Sequence, residues 1–211
     1  MESPICRADT RLIETFGWDG DCFSWLNAHL ARARASAAVL GFIWDQTAID
    51  AALATVTGTK PLRVRLTVGR AGDAEVTTSL LTPNPPEWRV ILSAEKLDPN
   101  APLLAFKTTE RALYDQTRAN LPTGIDEALF LNTRGEAAEG TITNLFADFG
   151  NGLVTPPLTS GCLPGILRAE LIHEGRVREK VIRAKDLPRA RRLFMGNALR
   201  GLIPARLVPV A

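Results

Sequence analysis

Cysteine is scarce in this sequence, and its scarcity argues against several classes of protein. The three cysteines, Cys6, Cys22 and Cys162, are odd in number, and no two of them have C-x-x-C spacing. Neither a disulfide framework nor a zinc site is therefore expected, and a reducing cytoplasm is the expected location. Residues 1–10 contain no apolar stretch of the signal-peptide type.

Long apolar runs and an excess of one charge are also absent. No run approaches the ~18 apolar residues that cross a bilayer, so no membrane contact is expected. The formal net charge is +2, which does not predict a nucleic-acid partner. The motifs G-x-x-x-x-G-K-[ST] and G-x-G-x-x-G are missing, which argues against a nucleoside triphosphate or dinucleotide site.

The residue patterns that are present predict an α+β protein in two lobes. With 45% hydrophobic and 23% charged residues over 211 positions, the chain has an ordinary globular composition. We expect a small domain over 1–97, a proline-containing connection over 98–106 and a larger domain over 107–211. Strict alternation over 62–68 predicts a strand with Leu62, Val64, Leu66 and Val68 on one face and with Arg63, Arg65 and Thr67 on the other.

Lys107 is the first candidate for chemistry. Lysine is rare here, and this one follows the apolar segment 103–106, whereas the others have polar or Pro/Gly neighbours: Lys60, Lys96, Lys180 and Lys185. A lysine amine is a useful nucleophile only when burial or a neighbouring charge lowers its pKa. The alternative is a lysine at the start of a predicted helix, 108–119, that extends its amine into solvent.

Two motifs in the second half of the chain could bind a charged ring and a phosphate. Glu139 begins E-G-T-I-T-N-L-F, where a carboxylate could keep a pyridine nitrogen protonated; a polar edge strand is the alternative. Residues 159–168 carry a glycine-containing turn into a predicted helix, 164–174, whose backbone N–H groups and dipole favour phosphate. An ordinary turn is the alternative there.

A fourth motif places His29 and Arg32 on one face of a predicted helix, 28–40. An arginine at that position could bind a buried phosphate through two hydrogen bonds. An exposed helical arginine is the alternative.

In their order along the chain, the four motifs resemble those of the fold-type IV enzymes that use pyridoxal 5′-phosphate (PLP). The resemblance extends from about Leu12 to Val208. That family includes branched-chain aminotransferases, D-amino acid aminotransferases and 4-amino-4-deoxychorismate lyase. The resemblance implies the two-lobed D-amino acid aminotransferase-like fold, PLP as the cofactor, a small amino-acid-like substrate and a homodimer.

The resemblance also implies a role for each candidate residue. Lys107 matches the Schiff-base lysine that also moves protons, Glu139 matches the acid at the pyridine nitrogen, and Arg32 matches a phosphate ligand. Arg65 matches the region that holds a substrate carboxylate. Gly165 and Ile166 are expected to give backbone N–H groups to the phosphate, and Thr143 either bonds the cofactor or packs in its strand. The other expected cofactor contacts are Asn144, Leu163, Leu167, Asn197 and Ala198.

Two positions favour the lyase within this family. Branched-chain aminotransferases commonly have K-x-x-x-N-Y, whereas Lys107 is followed by Arg111 and Ala112; the lyase commonly has K-x-x-x-R. Asn197-Ala198-Leu199 also matches the lyase. The first hypothesis is therefore a lyase that releases pyruvate and 4-aminobenzoate in folate synthesis, and the second is an aminotransferase for branched-chain or D-amino acids. A non-catalytic PLP-fold or small-ligand-binding protein is the third, because the family's opening hairpin is largely missing before Ile13-Glu14-Thr15.

Overall fold

Residue contacts in the computed structural model, which describes residues 6–209, divide the chain into two units. Unit 1 comprises the described residues up to Pro83 together with Phe106–Glu110, and unit 2 comprises Asn84–Ala105 and the described residues from Arg111 onward. Helices and strands are mixed in both, which confirms the predicted α+β class. The division differs from the predicted boundary at residue 97, because the strand over 88–97 pairs with strands of unit 2.

Unit 1 is built on a three-stranded antiparallel sheet with the order β1-β2-β3. Its elements are β1 (Leu12–Trp18), α1 (Leu26–Leu40), α2 (Gln46–Leu53), β2 (Leu62–Val68) and β3 (Ala74–Leu80). The predicted alternation of β2 is confirmed, since Val64, Leu66 and Val68 are buried while Arg65 is half-buried on the opposite face. The apolar face of this strand forms part of the unit's core.

The first helix of unit 1 begins earlier than predicted and ends at the predicted residue, Leu40. A single antiparallel bridge joins Trp18 and Phe23, and α1 begins at Leu26. Gly41 ends α1 in the left-handed conformation (φ 72°), as a glycine after a helix can. Asp45 caps α2 by accepting a hydrogen bond from the Ala48 N–H at 3.0 Å.

Unit 2 contains an eight-stranded sheet with the order β10-β11-β4-β5-β6-β7-β8-β9. Because β10 also pairs with β7, part of this sheet closes into a barrel-like ring. Its elements are β4 (Trp88–Leu97), α3 (Ala112–Ala119), β5 (Glu127–Asn132), β6 (Ala137–Gly140), β7 (Asn144–Asp148), β8 (Leu153–Thr155), α4 (Ile166–His173), β9 (Val177–Glu179), β10 (Arg192–Asn197) and β11 (Gly201–Leu207). Short 3-10 helices cover Pro102–Ala105, Leu158–Ser160 and Ala184–Arg189.

The ring strands share an apolar core in which Leu129, Leu145, Met195 and Ile203 are almost fully buried. The predicted helix over 108–119 is shorter than expected, because the chain stays extended to Glu110 and α3 begins at Ala112. None of the helices formed by residues 6–209 combines the length and the apolar character that crossing a membrane requires.

Candidate functional site

Lys107 lies on an extended segment beside β1 and not in a helix. The Ile13 N–H donates to the Lys107 carbonyl oxygen at 2.8 Å, and Leu12 pairs with Thr108 in an antiparallel bridge. The backbone of Lys107 is therefore held by the edge of the unit 1 sheet, while its side chain is half-buried. The alternative of a helix-start lysine does not hold, since the helix begins only at Ala112.

Strand pairing places Lys107 and Arg65 on the same face of the unit 1 sheet. Lys107 lies opposite Ile13, and directly paired residues of antiparallel strands project their side chains to the same side. Ile13 pairs with Thr67, and Thr15, two residues further along β1, pairs with Arg65. The predicted amine and the predicted carboxylate-binding arginine therefore share one sheet surface.

The opposite face carries a buried ionic cluster that the sequence reasoning missed. Glu14 is 2% exposed, and its Oε1 and Oε2 accept hydrogen bonds from Arg32 Nε at 2.9 Å and Arg32 Nη2 at 2.6 Å. His29 Nδ1 lies 2.6 Å from Glu14 Oε2. Burial alone would raise the pKa of Glu14, but the charge of Arg32 and the hydrogen bonds from His29 and Arg32 hold that pKa below its usual value.

This cluster fixes the guanidinium of Arg32 in a two-point pairing with a carboxylate. An ionised carboxylate only accepts hydrogen bonds, so His29 Nδ1 is the donor to Glu14. The one sequence feature that could have indicated a buried Glu14 was the alternation along β1, which places Glu14 on the same strand face as the core residues Leu12 and Phe16. The role of Arg32 as a phosphate ligand stays a prediction.

In unit 2, Glu139 is a buried carboxylate whose two oxygens have separate donors. It lies at the end of β6 opposite Asn144 and is 7% exposed. The Tyr114 hydroxyl donates to Oε1 at 2.8 Å, and the Leu163 N–H donates to Oε2 at 3.0 Å. Tyr114 was not predicted, because its partner lies 25 residues away in the sequence.

Tyr114 should resist ionisation at alkaline pH. Burial, and then the charge and hydrogen bond of Glu139, raise the pKa of its hydroxyl. Because the folded pKa lies above the unfolded value of about 10, the associated stability is present below that pH and is lost as the pH rises further. The chain has one tyrosine, so tyrosinate absorbance near ~295 nm should appear only as the protein unfolds; its appearance near pH ~10 in folded protein would contradict this burial.

The turn between β6 and β7 is fixed by the fully buried carboxylate of Glu127. The Thr141 N–H and the Thr143 hydroxyl both donate to it at 2.9 Å. This pairing favours packing over cofactor binding for Thr143. The turn is also held by Arg111, which donates to the Thr141 carbonyl oxygen at 2.9 Å.

The predicted phosphate-binding turn leads into α4, with Gly165 as its N-cap and no side-chain cap among the described residues. Asn144 Nδ2 donates to the Leu163 carbonyl oxygen at 3.0 Å. The Gly165 N–H donates to the same oxygen at 2.8 Å, and a phosphate contact from this N–H stays a prediction. The first helical hydrogen bond runs from Ala169 to Gly165. The N–H groups of Ile166 and Leu167 therefore precede the helical ladder, where anions bind.

Asn197 connects a third segment of unit 2 to this region. Its Nδ2 donates to the Ile142 carbonyl oxygen at 3.2 Å, and its Oδ1 accepts from the Arg200 N–H at 2.9 Å. Ala198 follows in the turn between β10 and β11. The structure thus brings the Glu139 motif, the 163–167 turn and Asn197 together within unit 2.

Gly165→Ala should disturb the turn before α4. A Cβ at this position would lie 2.0 Å from Asn144 Oδ1, so either the turn or Asn144 must move. If the turn binds phosphate, PLP affinity measured by fluorescence titration should fall by about 10-fold or more, which is ~1.4 kcal/mol. The control is Gly175→Ala just beyond the end of α4, where a Cβ meets open space although φ is 70°. That variant should lose stability but not affinity, and unchanged affinity in Gly165→Ala would exclude the turn as the phosphate site.

The family model described as amino-transferase class IV matches residues 11–208. The chain belongs to this family. A solved structure of a proposed amino-acid aminotransferase from Mesorhizobium loti has a TM-score of 0.89 and 45% identity, covering 95% of this chain and 100% of that one. A proposed 4-amino-4-deoxychorismate lyase structure from Legionella pneumophila has a TM-score of 0.78 and 26% identity, covering 93% and 82%. A proposed aminodeoxychorismate lyase of Schizosaccharomyces pombe is 27% identical over 95% of this chain and 90% of its own length.

Membership in this family implies the use of PLP, and the side chains and turns described here suit that group. Unit 2 offers a carboxylate fixed by two donors and a helix start whose glycine leaves no room for a Cβ beside Asn144. Unit 1 offers a half-buried primary amine on a fixed backbone.

Proposed function

We propose that the chain is a PLP-dependent 4-amino-4-deoxychorismate lyase. PLP, when bound, supplies an electron sink for charge that develops on the substrate. Lys107 would bond the cofactor and then move the proton needed to release the pyruvate moiety, and aromatisation to 4-aminobenzoate would drive the step. Glu139 would accept a hydrogen bond from the protonated ring nitrogen, and Arg65 would bind a substrate carboxylate.

The observation that favours the lyase over the aminotransferase is the identity of Arg111 and Ala112, four and five residues after Lys107. Aminotransferases of this family commonly place a tyrosine five residues after the lysine, where this chain has the exposed Ala112. The preceding Arg111, typical of the lyase, has its guanidinium directed to the Thr141 carbonyl oxygen. The likeness to the proposed S. pombe lyase over most of both chains supports the same assignment.

The test is an assay of purified, PLP-loaded protein with 4-amino-4-deoxychorismate. Formation of equal amounts of 4-aminobenzoate and pyruvate, with no keto acid added, is the expected result. Arg65→Ala should raise KM, because a carboxylate partner is lost, and Arg63→Ala on the same strand face is the matched control. Absence of both products from protein that binds PLP would reject the lyase assignment.

An aminotransferase acting on branched-chain or D-amino acids is the second candidate. The 45% identity to the proposed Mesorhizobium loti amino-acid aminotransferase favours it. It predicts that an amino acid added without keto acid converts the cofactor stoichiometrically to its amine form, which the absorption spectrum reports. Cofactor binding with neither reaction would instead support a non-catalytic protein of this fold.

We also propose a homodimer in the cytoplasm. The family resemblance supports the dimer, and the cysteine content supports the location. Size-exclusion chromatography with light scattering tests the dimer, which should elute at twice the chain mass of 22.9 kDa; a mass equal to one chain would contradict it.

A further inference from the structure

Tyr114 is held on two sides, so its hydroxyl has little freedom to move. Its ring meets Phe130 edge-on, with centroids 5.2 Å apart. The Arg111 guanidinium lies 5.5 Å from the ring centroid. Tyr114 lies on α3, two residues after Ala112. It is therefore not the tyrosine that aminotransferases of this family commonly have at the position of Ala112.

The hydroxyl of Tyr114 donates to the carboxylate of Glu139 at 2.8 Å. The second Glu139 oxygen accepts from the Leu163 N–H, which belongs to the turn before α4. Donors from two different segments therefore set both the position and the rotation of the carboxylate.

We propose that Tyr114 is a positioning residue that aims Glu139 at the ring nitrogen of the cofactor. The proposal rests on the proposed use of PLP and extends it to a residue outside the family motifs. Hydrogen bonds to a charged group are strongly directional and about twice as strong as neutral ones. Without the tyrosine donor, the carboxylate would rotate toward whatever other donor it meets, and its hydrogen bond to a protonated ring nitrogen would weaken.

The test compares two ligands that differ only at the ring nitrogen. Wild-type protein and Tyr114→Phe are titrated with PLP and with 1-deaza-PLP, which has carbon in place of that nitrogen. Phenylalanine keeps the ring packing on Phe130 and removes only the hydroxyl. We expect the affinity for PLP to fall about 5- to 10-fold, the usual net contribution of one hydrogen bond, because the tyrosine acts on the ring nitrogen only through Glu139. The affinity for 1-deaza-PLP should stay within about 2-fold.

Two further variants separate positioning from general stability. Thr155→Val removes a buried hydroxyl of unit 2 that donates to the Leu145 carbonyl oxygen at 2.7 Å, and it should leave the ratio of the two affinities unchanged. Glu139→Gln should by itself reduce the ratio of the PLP affinity to the 1-deaza-PLP affinity. Adding Tyr114→Phe to this variant should lower the ratio no further. An equal loss for both ligands in Tyr114→Phe, or no loss for either, would overturn the proposal.

A failure of the proposed function is distinguishable from a failure of this inference. Wild-type protein that binds neither ligand would overturn both. Wild-type protein that prefers PLP, together with a Tyr114→Phe variant that keeps the full preference, would overturn the positioning role alone.

A measurement on unmutated protein covers the case in which Tyr114→Phe does not fold. With one tyrosine in the chain, ¹³Cζ-labelled tyrosine gives one NMR signal. That signal should shift more on binding PLP than on binding 1-deaza-PLP, because the ring nitrogen shares the acceptor of Tyr114. Equal shifts with both ligands would contradict the proposal.

Discussion

Glu14→Ala is expected to lower the free energy of unfolding by about 3–5 kcal/mol, the usual cost of removing one partner from a buried ion pair. The substitution leaves Arg32, whose side chain is 12% exposed, and His29, 3% exposed, without their carboxylate. Urea denaturation followed by circular dichroism measures the effect. The control is Glu174→Ala, whose partner Arg176 is 64% exposed and whose loss should cost less than about 1 kcal/mol.

The same cluster predicts a dependence of stability on acid. Because the folded pKa of Glu14 is lowered, its contribution is complete above the unfolded value of about 4.3 and is lost as the pH falls through the folded pKa. Glu14→Gln should therefore unfold with a weaker acid dependence than the wild type. Equal stability of Glu14→Ala and Glu174→Ala would contradict the structural role of the cluster.

Lys107→Ala is expected to lower turnover by at least about 10³-fold, since single nucleophile deletions in enzymes have effects of this size or larger. The backbone hydrogen bond from the Ile13 N–H to the Lys107 carbonyl oxygen is kept in this variant. Product formation under single-turnover conditions is the measurement. Lys107→Arg keeps the charge but should be equally inactive, and Lys96→Ala, on an exposed position of β4, should be active. A measurable lyase rate in Lys107→Ala would contradict the proposed role of Lys107 in bonding the cofactor and moving the proton.

Local sequence patterns were sufficient to predict the family and those structural features that depend on residues close together in the chain. Alternation predicted the faces of β2, and the order of four local motifs pointed to Lys107, Glu139 and the turn at 163–167. Glu14 and Tyr114 were missed because each is paired with residues that only the fold brings close. For the same reason, residues 108–110 were predicted as the start of a helix: their pairing with β1 is a long-range contact that local propensity does not contain.

The boundaries of the two units could not be read from composition either. Residues 98–106 contain two prolines and resemble a connection, yet the change of unit falls near Pro83 and on both sides of Phe106–Glu110. The cause is strand pairing, since β4 lies between β11 and β5.

The most direct test of the account is the absorption spectrum of the purified protein after addition of PLP, followed by borohydride reduction and peptide mapping. We predict a band near ~410–430 nm, which a PLP–lysine adduct gives, and a reduced label on Lys107 alone. No band, or a label spread over Lys60, Lys96, Lys180 and Lys185, would contradict the assignment of this chain as a PLP enzyme.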